Sequence, residues 1–194
     1  MLEIAEQILK AARGLDKQQV SKMIEMLIEA KKSGKKVMVV GAGRSGLVGK
    51  AFAMRLMHLG FNVYVLGETI TPAVAEGDLV IAISGSGTTQ VVVSAAEAAK
   101  RVGAKVVAVT SFPESPLAFI SDHVVRIPGR SKVSKEVDYF ARQLLGIYEP
   151  LAPLGTLFED AAMVFFDGVI VALMCALGMK EEDLMTRHAN VEIF

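Results

Sequence analysis

The chain has 194 residues, enough for one domain with a sizeable core; 52% of them are hydrophobic and the mean hydropathy is +0.44. Lys and Arg number 21 and Asp and Glu 21, so the formal net charge is zero; this argues against broad electrostatic binding to nucleic acid or an acidic membrane, and any anion must be held by local loops. Cys175 is the single cysteine, which excludes an intrachain disulfide framework and a thiolate zinc cluster and suits a reducing cytoplasm.

Residues 2–13 and 16–32 read as two amphipathic helices divided by Gly14 and restarted by Asp16. Glu3, Glu6 and Lys10 interrupt the first, so it is not a secretion signal. In the second, Val20, Met23, Ile24, Leu27 and Ile28 form one apolar stripe at helical spacing, and Ser33-Gly34 stops it. Strands are predicted at Lys36–Val40, Asn62–Leu66, Asp78–Ile83, Lys105–Thr110 and His123–Ile127. Helices are predicted at Arg44–Leu59 and Val91–Val102, with a short one after Pro113-Glu114-Ser115-Pro116. The strand runs are nearly continuous in apolar residues, as in strands buried on both faces. Alternation with helices implies a parallel five-stranded sheet in a three-layer α/β/α sandwich, and a flavodoxin-like strand order, 2-1-3-4-5, is the expectation.

Residues 129–155 form a long mixed connection, and an apolar helix starts near Thr156. Its stretch Ala161–Gly178 approaches membrane length, but Asp167 and Gly168 interrupt it, and it is read as a buried core or interface helix. A short helix, Glu181–Thr186, and a polar tail follow. The whole chain, 1–194, is expected to be one domain with its core at about 34–178, the terminal segments packing on that core or on a neighbouring subunit. Excess apolar surface at zero net charge points to a homo-oligomer.

Two loops carry the candidate chemistry. Ser84-Gly85-Ser86-Gly87-Thr88-Thr89 links a buried strand to a helix start. Glycines let backbone N–H groups turn toward one point, the helix end adds partial positive charge, and hydroxyls add neutral donors. That combination suits a phosphate monoester; a plain Ser/Gly turn before a capped helix is the alternative. Gly41-Ala42-Gly43-Arg44-Ser45-Gly46 fits G-x-G-x-x-G, and Glu68 lies about 20 residues on, where a dinucleotide site wants its ribose acid. An NAD-binding domain is therefore a rival reading. With the order 2-1-3-4-5 the two loops face each other at the strand-order switch, and a facing pair better suits a compact sugar phosphate.

The pair G-A-G-R-S-G and S-G-S-G-T-T resembles the SIS (sugar isomerase) domain family. Phe52–Gly60, Gly67–Pro72, Pro153–Glu159 and Arg187–Glu192 are similar to the 6-phospho-3-hexuloisomerases within it, while Ser134–Glu149 is longer than that pattern. The resemblance implies interconversion of D-arabino-hex-3-ulose 6-phosphate and D-fructose 6-phosphate through a 2,3-enediol, with no metal and no cofactor. It implies a cytoplasmic homotetramer with sites shared between subunits, binding neither nucleic acid nor membrane. Glu159 is then the base and His188, from a neighbouring subunit, an acid/base or ring-opening group. Gly43, Arg44, Ser45, Ser84, Gly85, Ser86, Gly87, Thr88 and Thr89 would bind substrate and phosphate, with Arg55, Glu68, Thr156 and Asn190 as accessory candidates. Against Glu159 stands a structural role, since Thr156-Leu157-Phe158-Glu159 also reads as a capping box. His58 reads as a partner of a helix dipole, and His123 as structural.

Overall fold

The Asp16 carboxylate accepts from the N–H groups of Gln18 (2.8 Å) and Gln19 (3.3 Å), and this cap separates two N-terminal helices, α1 (Leu2–Arg13) and α2 (Lys17–Lys32). They open a computed structural model that describes residues 2–129 and 156–188. There follow β1 (Val37–Gly41), α3 (Gly43–His58), β2 (Val63–Val65), β3 (Leu79–Ile83), α4 (Gln90–Arg101), β4 (Lys105–Thr110), α5 (Pro116–Ile120), β5 (His123–Arg126), α6 (Leu157–Leu177) and α7 (Glu181–Met185). The long connection and Asn190 lie outside the described residues.

The five strands form one parallel sheet in the order β2-β1-β3-β4-β5, as the alternating pattern predicts. The edge strand β2 is shorter than Asn62–Leu66, because β1 is its only neighbour and the chain turns away after Val65. Two aspartates just ahead of strands hold the sheet's N-terminal edge. Asp78 accepts from the N–H groups of Ala75 (2.8 Å) and Lys36 (2.9 Å) and pairs with the Lys36 ammonium (3.0 Å). Asp122 likewise accepts from Val106 N–H (2.7 Å) and pairs with Lys100. Burial alone would raise both carboxyls, but these donors hold them below the usual carboxylate range.

Successive side chains of a strand point to opposite faces, so the core divides in two. Val37, Val39, Ile81, Ile83, Val107 and Val109 meet Met23, Leu27, Phe52, Leu56, Phe158, Phe166 and Leu173 from α2, α3 and α6. Met38, Val40, Val80, Ala82, Val106 and Ala108 meet Val92, Val93 and Ala96 of α4 and Leu117 of α5. The helical layers confirm the three-layer sandwich.

Among the described residues α6 alone is long and apolar enough to cross a membrane by length and composition. Its buried face packs on α3, where Phe52 and Phe166 stack with ring centroids 4.2 Å apart. Its other face shows Val164 (50% exposed), Asp167, Gly168 and Val171 (60% exposed) at helical spacing. A left-handed Gly178 (φ 64°) ends it.

Candidate active site

Gly41 pairs with Ile83 across β1 and β3, so both strands end at one level. The chain runs outward from β1 to β2 and returns through β3, which makes this the strand-order switch, where ligands sit in open α/β sheets. Gly41–Gly46 and Ser84–Thr89 both leave from it.

The first loop is held tight by close backbone approach. A Cβ on Gly41 would lie 2.9 Å from the Ser45 carbonyl oxygen, and one on Gly46 3.0 Å from that of Gly41. Ala42 occupies the N-cap of α3 and has no side-chain group to offer, so the first N–H groups of the helix are not capped by it. In the second loop the hydroxyls pair among themselves: Ser84 with Thr89 at 2.9 Å and Thr88 with Ser86 at 3.0 Å. Gly87 N–H donates to the Ser84 hydroxyl (3.1 Å). Thr89 stands at the N-cap of α4 but makes no capping bond, because its hydroxyl is turned to Ser84. Two helix N-termini without side-chain caps at one crevice are an electropositive pair of donors made without a charged residue.

Deeper packing sets the loop's shape. The Gly85 carbonyl accepts from Ser111 N–H (3.2 Å), and the Gly87 carbonyl from Leu117 N–H (3.0 Å). Gly87 is left-handed (φ 64°), and a Cβ there would collide with the Ser115 side chain. A Cβ on Gly85 would lie 2.8 Å from the Phe158 ring. Phe158, fully buried, thus seats the start of α6 on the loop.

Glu159 follows. It is 9% exposed, and its Oε1 lies 3.4 Å from the Ser45 hydroxyl, which donates to it. Thr156 makes no capping bond at α6, so the expected capping box does not form; Thr156 has helical φ/ψ, and Glu159 is turned to Ser45. Arg44 pairs with Asp160 at 3.1 Å, both partly exposed. Glu68 pairs with Lys50 at 2.6 Å on the exposed side of α3. His123 Nε2 lies 2.7 Å from the Gln19 carbonyl oxygen, tying β5 to α2.

The remaining candidates gather elsewhere. His58, Arg55 and His188 line a cavity of about 540 Å³ with Asp167, Glu181 and Met185. Ser45 and His58 are 13 residues apart on one straight helix, roughly 20 Å at 1.5 Å per residue. The described chain therefore separates His188 from Glu159 by about the length of α3. His58 is 3% exposed and packs beside His188, ring centroids 5.1 Å apart. Burial first, then His188 and Arg55, lower its pKa below the usual imidazole range. The dipole role expected of His58 falls instead to Lys31, whose ammonium donates to the carbonyls of Leu59 (2.7 Å) and Gly60 (2.9 Å) just past α3.

Sequence reasoning missed Phe158 and Ser115, which shape the loop. Ser115-Pro116 was legible as a helix start, and its Ser caps α5, but its place under Gly87 depends on tertiary packing.

The SIS domain family profile matches residues 31–146. The 3-hexulose-6-phosphate isomerase of Bacillus subtilis is 38% identical over 190 residues, 98% of this chain and 96% of that protein. The one from Mycobacterium gastri is 40% identical over 189 residues, 97% and 88% of the two chains. A solved structure of a Methanococcus jannaschii protein, inferred to be a 3-hexulose-6-phosphate isomerase, superposes with a TM-score of 0.77 at 33% identity, covering 97% of each chain. With the crevice at the switch of a 2-1-3-4-5 sheet, these likenesses place the chain in the SIS domain family, among its phosphosugar isomerases.

Proposed function

We propose that the chain interconverts D-arabino-hex-3-ulose 6-phosphate and D-fructose 6-phosphate. The observation that carries this is the buried Ser45–Glu159 contact at 3.4 Å, one residue from the ring seated on the Ser84–Thr89 loop. A carboxylate beside an anion cradle is what proton transfer on a phosphosugar requires, and this contact supports that reading.

The phosphate binds at the N–H groups and hydroxyls of Ser84–Thr89, and its binding energy positions the carbons. Glu159 takes the proton from C2 of the 3-ulose, and the electron pair forms the C2–C3 double bond of an enediolate. The proton returns at C3 while the C2 hydroxyl loses its own and becomes the carbonyl. No atom is gained or lost. Ser45 orients the carboxylate. A neighbouring copy's His188 carries the hydroxyl proton between the two oxygens, since imidazole exchanges protons near neutrality.

What supports a shared site is the roughly 20 Å between Ser45, beside Glu159, and His58, beside His188, along α3 of one chain. We take the assembly to be a tetramer and the compartment to be the cytoplasm. Gly43, Ser86, Thr88 and Arg44 complete the crevice, with Arg44 able to leave Asp160 for the ligand. Arg55 and Thr156 remain accessory, as does Asn190.

Incubation with D-fructose 6-phosphate, followed by NMR, is expected to show the 3-ulose; its absence at long times would sink the reading. Nicotinamide nucleotides are expected to leave that rate unchanged. Glu159→Gln and His188→Asn chains, each left with only a small residual rate alone, are expected to regain about a quarter of the wild-type rate when assembled together at equal amounts. No recovery would refute sharing.

A further inference from the structure

A buried imidazole is an expensive choice for filling a core. His58 is 3% exposed, and its Nδ1 is buried with no hydrogen-bond partner among the described residues. An unpartnered buried polar atom is destabilising, a cost that Leu or Phe at the same place would avoid. The helix-end carbonyls that could have used a cation already have Lys31. His58 is therefore explained neither by its own hydrogen bonds nor by the end of α3.

What its ring does touch is His188, at 5.1 Å between centroids and 34° between planes, an offset geometry that favours aromatic contact. The same cavity brings Arg55 of α3, Asp167 of α6 and Glu181 of α7 to the pair. Arg187 lies against Gly60 beside Lys31 of α2. Arg55, Lys31 and Arg187 are cationic, and Asp167 and Glu181 are anionic.

We propose that His58 is a positioning residue for His188: its buried ring is the platform on which the His188 imidazole rests when presented to a neighbour's crevice. This rests on the reading of His188 as the hydroxyl-proton carrier. The platform limits the orientations of an exposed side chain on a short segment after α7. Burial favours the neutral form of His58, so around neutrality the platform adds no second positive charge beside His188.

Three variants and one titration test it. His58→Leu keeps an apolar side chain but removes the ring, and is expected to lower kcat about tenfold with KM within about twofold. His58→Phe restores a flat neutral ring and is expected to recover most of that kcat. His188→Asn sets the floor, and His58→Leu on that background is expected to cost nothing more in kcat. The titration uses imidazole NMR without substrate. In the wild-type protein the His58 signal is expected to titrate below the ordinary imidazole range, and His188→Asn is expected to move it back toward that range, as coupled sites do. Wild-type kcat in His58→Leu overturns the proposal, and so does a His58 inflection that His188→Asn leaves unmoved. Failure of the wild-type protein to convert D-fructose 6-phosphate would overturn the substrate assignment instead, and the titration still decides whether the two rings are coupled.

Discussion

At its N-terminus α3 meets glycines, hydroxyls and a buried carboxylate; at its C-terminus it meets two imidazoles, an arginine and acidic residues around a cavity. The first end draws its electropositive character from backbone N–H groups, so it can hold an anion without needing a titratable cation. The second is built of titratable and charged side chains, Arg55, His58, Asp167, Glu181 and His188. One end is suited to gripping and the other to moving protons. Their separation along α3 is what the proposed sharing of one substrate between two copies rests on.

The largest effect expected on this contrast comes from Glu159→Gln. It removes the proton acceptor, keeps the shape, and should lower kcat by a factor on the order of 10³ while D-fructose 6-phosphate binding by calorimetry stays within a few-fold. Normal turnover would take Glu159 out of the mechanism. Gly85→Ala comes next. Its Cβ would press on the Phe158 ring and is expected to cost about 1–3 kcal/mol in chemical denaturation and to weaken substrate binding. Phe158→Leu in the same chain should recover part of both, and a fully additive double variant would show that the contact is not shared.

Ser84→Ala deletes the hydroxyl that Thr89 and Gly87 N–H contact. Affinity for the phosphosugar should fall about tenfold, with kcat changed less; an equal loss with unphosphorylated fructose would argue against an anion cradle. The smallest effect concerns acid stability. His58 has a folded pKa below its unfolded one, lowered by burial and then by His188 and Arg55, so the unfolded chain binds the proton more readily. Its contribution is fully present above the unfolded value of about 6.5 and is lost as pH falls through the folded pKa. His58→Phe should flatten the melting temperature over that window. Asp78 also has a lowered pKa, and its contribution disappears only in the more acid carboxylate range, so the two steps are separable.

The same contrast governs what was legible beforehand. Gly41–Gly46 and Ser84–Thr89 could be read because backbone conformation leaves a mark in glycine and hydroxyl spacing, and the parallel sheet followed from alternating strands and helices, which leave its strand order open. The Ser45–Glu159 contact joins residues far apart in the chain, and only the family resemblance pointed to Glu159. The Thr156–Glu159 spacing pointed instead to a capping box, and packing of Phe158 on Gly85 prevailed over that local preference. His58 was misread because a histidine at a helix end carries no sign of whether Lys31 already serves that end. Burial decides this, and burial depends on α6, more than a hundred residues further on.

The seat of Phe158 on Gly85 has one more consequence. A ring resting on backbone has almost no freedom to stretch, so the span from the hydroxyl loop to the Glu159 carboxylate is a fixed gauge. A sugar phosphate anchored at one end is then measured along its carbon chain. On the proposed reading, a chain one carbon longer or shorter would present a different C–H to the carboxylate, and selectivity for length would come from where a helix begins.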